Sequence, residues 1–145
     1  MGHLASVRRF RISLRLAGDD LDPGEITSLL GVAPHLAYRK GEYWKTLKGK
    51  PLIGRTGLWI FDVDDFETDD FEEAIFDLLS RIPVTPDVFR TLARRFKVEL
   101  FCGLFLDEYN AGLELSPAVM KLLAQREISF DLDIYSFSGS EEEER

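Results

Sequence analysis

The sequence predicts an α+β fold, with a mostly antiparallel sheet and helices packed on one of its faces. Three observations carry that expectation. Residues 7–16 and 128–135 alternate apolar and polar side chains with period two, the signature of half-buried strands. Segments near 22–31, 69–82, 85–96 and 116–124 hold the helical period behind a capping residue. Residues 97–106 are apolar on both faces, which suits a central strand.

Taken in order, the first strand places Phe10, Ile12, Leu14 and Leu16 on one side and Arg9, Arg11, Ser13 and Arg15 on the other. Asp22 then suits a helix N-cap, Pro23 the first helical position, Glu25 the capping box and Gly31 a left-handed stop. Ile26, Leu29 and Leu30 form its apolar stripe. Residues 32–56 lack sustained periodicity and carry Pro34, Gly41, Gly49, Pro51 and Gly54, so they read as a long excursion with room for a short hairpin. A strand follows at 57–63, with apolar residues on both faces.

Asp69 or Asp70 starts a second helix with Phe71, Ala74, Ile75, Leu78, Leu79 and Ile82 inward. Pro83 and Pro86 bracket a break, and Thr85 caps a third helix with Val88, Phe89, Leu92 and Phe96 inward. After the strand at 97–106, residues 107–110 read as a turn. Ser116-Pro117 opens a fourth helix with Met120, Leu123 and Ala124 inward. The last strand points Ile128, Phe130, Leu132 and Ile134 inward and Ser129, Asp131 and Asp133 outward. Residues 1–137 are expected to form one domain, and the acidic tail 138–145 to be disordered.

Two expectations about assembly follow. Leu21-x-Pro23-x-x-Ile26-x-x-Leu29 resembles Leu115-x-Pro117-x-x-Met120-x-x-Leu123, which suggests that the halves are copies of one βαβ unit. The Arg row of the first strand and the Asp row of the last suggest that these strands are neighbours, with opposite charges contributing about 0.2–1 kcal/mol per pair. That pairing gives the sheet a ferredoxin-like character. A solvated face on each strand explains the two rows equally well.

Composition excludes several function classes. A single cysteine, Cys102, rules out an internal disulfide, and with His3 and His35 it cannot supply a structural zinc site. Residues 1–11 are too charged for a signal peptide and no apolar run is long enough to span a membrane, so a cytoplasmic location is expected. The net charge of −8 disfavours general nucleic-acid binding. Nine acids between Asp62 and Asp77 invite a calcium or magnesium reading, but the glycine and distal glutamate of a calcium loop are missing. Acids before a helix are independently favoured by its dipole. No metal or cofactor is expected. Cys102 has no adjacent histidine, and His35 stands alone beside Pro34, so no catalytic residue is assigned.

Residues 39–55 differ from everything around them. Arg39, Lys40, Lys45, Lys48, Lys50 and Arg55 face one acid, Glu42, giving the segment +5 and leaving −13 on the rest of the chain. Tyr38, Tyr43 and Trp44 are interleaved. The candidate binding residues are Arg39, Lys40, Glu42, Trp44, Arg55 and Trp59. They suit a protein partner, with Trp, Tyr and Arg as anchors, and make a non-enzymatic interaction module of immunity or regulatory type the leading expectation. The alternative is a small phosphate- or carboxylate-bearing ligand, held by Arg39, Lys40 and Arg55 against Trp44 and Trp59. An enzyme would need Glu42 and His35 brought together. The bland reading has the loop folding back to neutralise the acidic stretch.

The residues Asp22-Pro23-x-x-Ile26-Thr27-x-x-Leu30-Gly31-x-x-Pro34, Arg39-Lys40-Gly41-Glu42, Gly57-x-Trp59 and Asp133-Ile134-Tyr135 together resemble the bacterial family known as domain of unknown function 4279. The resemblance spans about residues 7–137. It implies a small bacterial protein without an assigned activity.

Overall fold

The computed structural model describes residues 5–6, 9–64, 68–106 and 111–135. Among them, the elements run β1 (Ala5–Ser6), β2 (Arg9–Gly18), α1 (Pro23–Leu30), β3 (Leu36–Tyr38), β4 (Tyr43–Lys45), β5 (Pro51–Ile53) and β6 (Gly57–Val63). The chain continues through α2 (Phe71–Ser80), α3 (Pro86–Ala93), β7 (Lys97–Phe105), β8 (Ala111–Gly112), α4 (Pro117–Gln125) and β9 (Ser129–Tyr135). The expected turn at 107–110 and the tail 138–145 lie outside the described residues, as do the first two residues of the expected strand 7–16.

Five strands form one sheet in the order β3-β6-β2-β7-β9. Its first three ladders are antiparallel and the last, β7 with β9, is parallel, so the sheet is mixed. β4 and β5 form a separate hairpin, and β1 pairs with β8 over two residues. The even-numbered residues of β2 set the core: Ile12 lies between Val63 and Cys102, and Leu14 between Phe61 and Leu100, all buried. Over that face α1 packs on β6, α2 on β2, α3 on β7 and α4 on β9. Phe71 of α2 meets Phe10 of β2 edge to face at 5.4 Å, and Phe130 of β9 at 6.1 Å.

The helix starts follow local chemistry, with two departures. Asp22 accepts from the Gly24 amide at 3.0 Å, Asp70 from Glu73 at 3.0 Å and Ser116 from Val119 at 3.4 Å. Glu25 is drawn out of the expected capping box by Arg95, which donates to its two oxygens at 2.9 and 3.0 Å. Thr85 occupies the N-cap position of α3 but its side chain makes no capping bond. Gly31 stops α1 with φ 75°, the left-handed conformation that favours glycine.

The first and last strands are not neighbours, which corrects the charge-row argument. β7 stands between them because it alone among the three is apolar on both faces, while β9 carries Asp131 and Asp133 and suits an edge. The ferredoxin-like expectation, which needs the first strand flanked by the last, loses its support. The matched motifs also diverge: α1 buries Ile26 and Leu30, whereas α4 buries Val119 and Leu123, one residue out of register. Leu29 and Met120, expected inward, are 41% and 51% exposed. Moreover, β2 and β6 around α1 are antiparallel, whereas β7 and β9 around α4 are parallel.

Candidate functional site

Period-two alternation sends the other residues of each strand to the face without helices. On β2 these are Arg9, Arg11, Ser13 and Arg15. The register sets Asp62 and Ile60 of β6 beside Ser13 and Arg15 on one flank. Phe105, Gly103, Phe101 and Glu99 of β7 lie along the other, opposite Arg9, Arg11, Ser13 and Arg15 in turn. Beyond them, β9 contributes Tyr135, Asp133, Asp131 and Ser129.

The 32–56 excursion folds over this face. Tyr38 of β3 lies beside Leu58 on the same side, and the Trp44 ring stacks on it at 5.3 Å with planes 11° apart. Gly54 permits the approach, since a Cβ there would come within 2.5 Å of the Tyr38 ring. Two backbone bonds lock the hairpin root, Gly41 N to Gly54 O at 2.8 Å and Gly54 N to Glu42 O at 2.9 Å. At the tip, Thr46 accepts from the Gly49 amide at 2.8 Å and from the Lys50 amide at 3.1 Å. That turn leaves Leu47 fully exposed, and Leu47 borders a cleft of about 870 Å³ whose floor is the Arg row.

The cleft is basic. The Arg15 guanidinium carbon lies over the Phe101 ring, 3.8 Å from its centroid, and its Nε is buried without a hydrogen-bond partner among the described residues. Arg11 is exposed, and neither it nor Arg15 makes an ion pair among the described residues. Arg9 lies over Phe105 at 5.4 Å, and Phe105 stacks with Tyr135 at 4.9 Å. The nearby acids have other contacts. Glu99, across the ladder from Arg15, has Lys97 Nζ at 3.4 Å, outside hydrogen-bond geometry. Asp133 accepts from the Tyr135 hydroxyl at 2.6 Å. Asp62 is the carboxylate that lines the cleft itself. Burial raises the Tyr38 hydroxyl above its ordinary pKa, with the Arg15 charge pulling the other way.

The residues singled out in the sequence are dispersed. Arg39 pairs with Asp22 at 2.8 Å and Lys40 with Asp19 at 3.2 Å, tying the hairpin root to the turn before α1. Hydrogen bonds from Thr56 and Lys40 together hold Asp19 below the usual carboxylate range. Glu42 accepts from the Arg39 amide, and Arg55 is exposed. None of the six lines the cleft, and Trp44 stacks on Tyr38 of β3. Trp59 is fully buried on the opposite face, where its Nε1 donates to Thr27 of α1 at 3.1 Å, so it belongs to the core. The cleft residues Arg11, Arg15 and Phe101 were not among the candidates. For Arg11 and Arg15 the signal is the Arg row of the first strand, which reads equally as half of a strand pair or as a solvated face.

No catalytic arrangement emerges among the described residues. Cys102 is fully buried on the helix side, and burial pushes its thiol well above the ordinary value. His35 Nδ1 accepts from the Asp62 amide at 3.0 Å, so His35 and Glu42 are each engaged with a different backbone group. Among the described residues, no group of three His, Cys, Asp or Glu side chains is placed to hold a metal ion, and no helix is long and apolar enough to cross a membrane. Four of the acids in 62–77 serve α2: Asp70 caps it, Glu72 and Glu73 lie in its first turn, and Asp77 pairs with Arg81 at 2.9 Å.

Comparison with curated proteins finds no match, and comparison with solved structures finds none. A family model described as a domain of unknown function, DUF4279, matches residues 8–137. With nearly the whole described fold inside that span, the chain belongs to the DUF4279 family.

Proposed function

We propose that the protein is a non-enzymatic binding module that captures anionic groups in the cleft between its uncovered sheet face and the β4–β5 hairpin. The observation that carries this reading is the pair Arg11 and Arg15. In a chain with 26 carboxylates, both stand in one cleft without an acid partner among the described residues. Arginine presents a fork of donors that suits carboxylate and phosphate, and a guanidinium already resting over a ring has less freedom to lose on binding. A volume near 870 Å³ lies within the range of small-ligand sites.

Isothermal titration with tripolyphosphate and with citrate, at low and high salt, tests the reading. Binding that weakens with salt and falls on the order of tenfold in Arg11→Ala is expected, the loss of one charge-assisted contact. Heat signals absent for both anions, or unchanged in Arg11→Ala, would overturn it.

A protein partner at the hairpin is the second reading. Tyr43, Leu47 and Ile53 are exposed by 75%, 109% and 54%, apolar surface that gains by being covered. This keeps the interaction role expected from residues 39–55, with Leu47 and Trp44 nearer the contact than Arg39 and Lys40.

A further inference from the structure

We infer that the anionic partner is an extended acidic peptide segment lying along β2, with carboxylates two positions either side of an apolar residue. This rests on the anion-binding reading above and narrows it. Arg11 and Arg15 are four residues apart on one strand, so their Cα atoms are about 13 Å apart at 3.3–3.4 Å per residue. An anion seated over one arginine position therefore lies a strand segment away from the other. A chain in the extended conformation repeats same-face side chains at the same pitch, so acids at i and i+4 fall over both arginines.

Ser13, the residue midway, is small and 4% exposed, and Gly103 beside Arg11 carries no side chain. Both line the cleft together with Ile60, Phe101 and, from the hairpin, Leu47, while the Tyr135 and Phe105 rings stand nearest to Gly103. An apolar side chain at i+2 would enter there, covering the exposed Leu47.

The rings of this face suit a peptide better than a nucleic acid. Single-stranded nucleic acids need free aromatic faces for base stacking. Here Phe101 already carries Arg15 on its face, and Phe105 carries Tyr135 and Arg9. The rings serve the cations and do not form an open platform. Asp62 on one flank, with Asp131 and Asp133 on the other, would also repel a polyanion broader than one strand, which confines an acidic chain to the Arg row.

The test is titration of the full chain with two isomeric peptides, Ser-Glu-Ser-Leu-Ser-Glu-Ser and Ser-Ser-Glu-Glu-Leu-Ser-Ser, alongside oligothymidylate and tripolyphosphate. The spaced isomer should bind on the order of tenfold more tightly than the block isomer. Arg11→Ala should remove that preference. Arg15→Lys, which keeps the charge but not the fork, should reduce it while circular dichroism stays unchanged. Equal affinity for the two isomers, or tighter binding of oligothymidylate, overturns the peptide inference. Tripolyphosphate binding that depends on Arg11 would in that case leave the anion-binding reading standing; no binding by any of the four sinks both.

Discussion

At Gly57 an added Cβ would lie 2.7 Å from the Gly18 carbonyl oxygen, 2.8 Å from the Leu21 Cβ and 3.0 Å from the Leu21 carbonyl oxygen. Two of those atoms are backbone, so relief requires β2 and the turn before α1 to move apart. Gly57→Ala should therefore cost about 1–3 kcal/mol, the usual range for overpacking a filled site. A urea unfolding curve checks this, with a lowered midpoint at unchanged slope as the expected result. A midpoint equal to that of the parent would show that the turn yields freely. The neighbouring Trp59 shows why single residues mislead a sequence reading. With Trp44 it reads as the apolar wall of an anion site, but strand parity turns it to the helices, where Thr27 satisfies its indole nitrogen. Parity was readable; which face the helices would cover was not, because 57–63 is apolar on both sides.

Among the elements, the β4–β5 hairpin meets the sheet through an aromatic stack, Trp44 on Tyr38, over a glycine that leaves room for it. Gly54→Ala would put a methyl group within 2.5–2.6 Å of the Tyr38 ring and 3.2 Å of the Arg39 carbonyl oxygen. The stack should open while the main sheet, which Gly54 does not join, remains intact. Near-UV circular dichroism should lose the Trp44 contribution, far-UV signal should stay within error, and affinity for anions should drop as Leu47 leaves the cleft. Retention of the near-UV bands would remove the hairpin's structural role. The helices and long strands were legible because each satisfies itself locally: caps, proline starts and apolar periods lie within a dozen residues. The excursion was legible only as an interruption. β3, β4 and β5 are three residues each, too short for periodicity, and their positions depend on Ile60, Tyr38 and Gly54, contacts distant from any local pattern. Strand order failed for a related reason. The Arg and Asp rows share a face, as expected, but opposite charges can share a face across an intervening strand, and the sequence carries no ruler for that distance.

The molecule as a whole sets ion pairs at its joints against a net charge of −8. Glu25 and Arg95 join α1 to the segment after α3, while Asp19 with Lys40 and Asp22 with Arg39 join the turn before α1 to the hairpin root. Arg95 holds the Glu25 carboxyl below its ordinary 4.5, and Thr56 and Lys40 hold Asp19 below its ordinary 3.8. A carboxyl whose folded pKa is depressed contributes stability that is fully present above its unfolded pKa. That stability is lost as pH falls through the folded value. Both pairs are exposed, so each effect is small and shared with solvent and salt. Self-repulsion acts in the opposite direction, since the negative charge shrinks toward the isoelectric point near 4.8. Stability in urea should therefore hold or rise slightly from pH 7 to about pH 5, then decline below about pH 4.5 as these carboxyls take up protons. Replacing both acids, as Asp19→Asn with Glu25→Gln, should lower stability at pH 7 and flatten the decline below pH 4.5. A decline of equal steepness in the double variant would move the acid sensitivity to other carboxylates. Added salt should weaken the contribution of the exposed pairs and anion capture by Arg11 together, whereas the buried core beneath the Arg row should be indifferent to it.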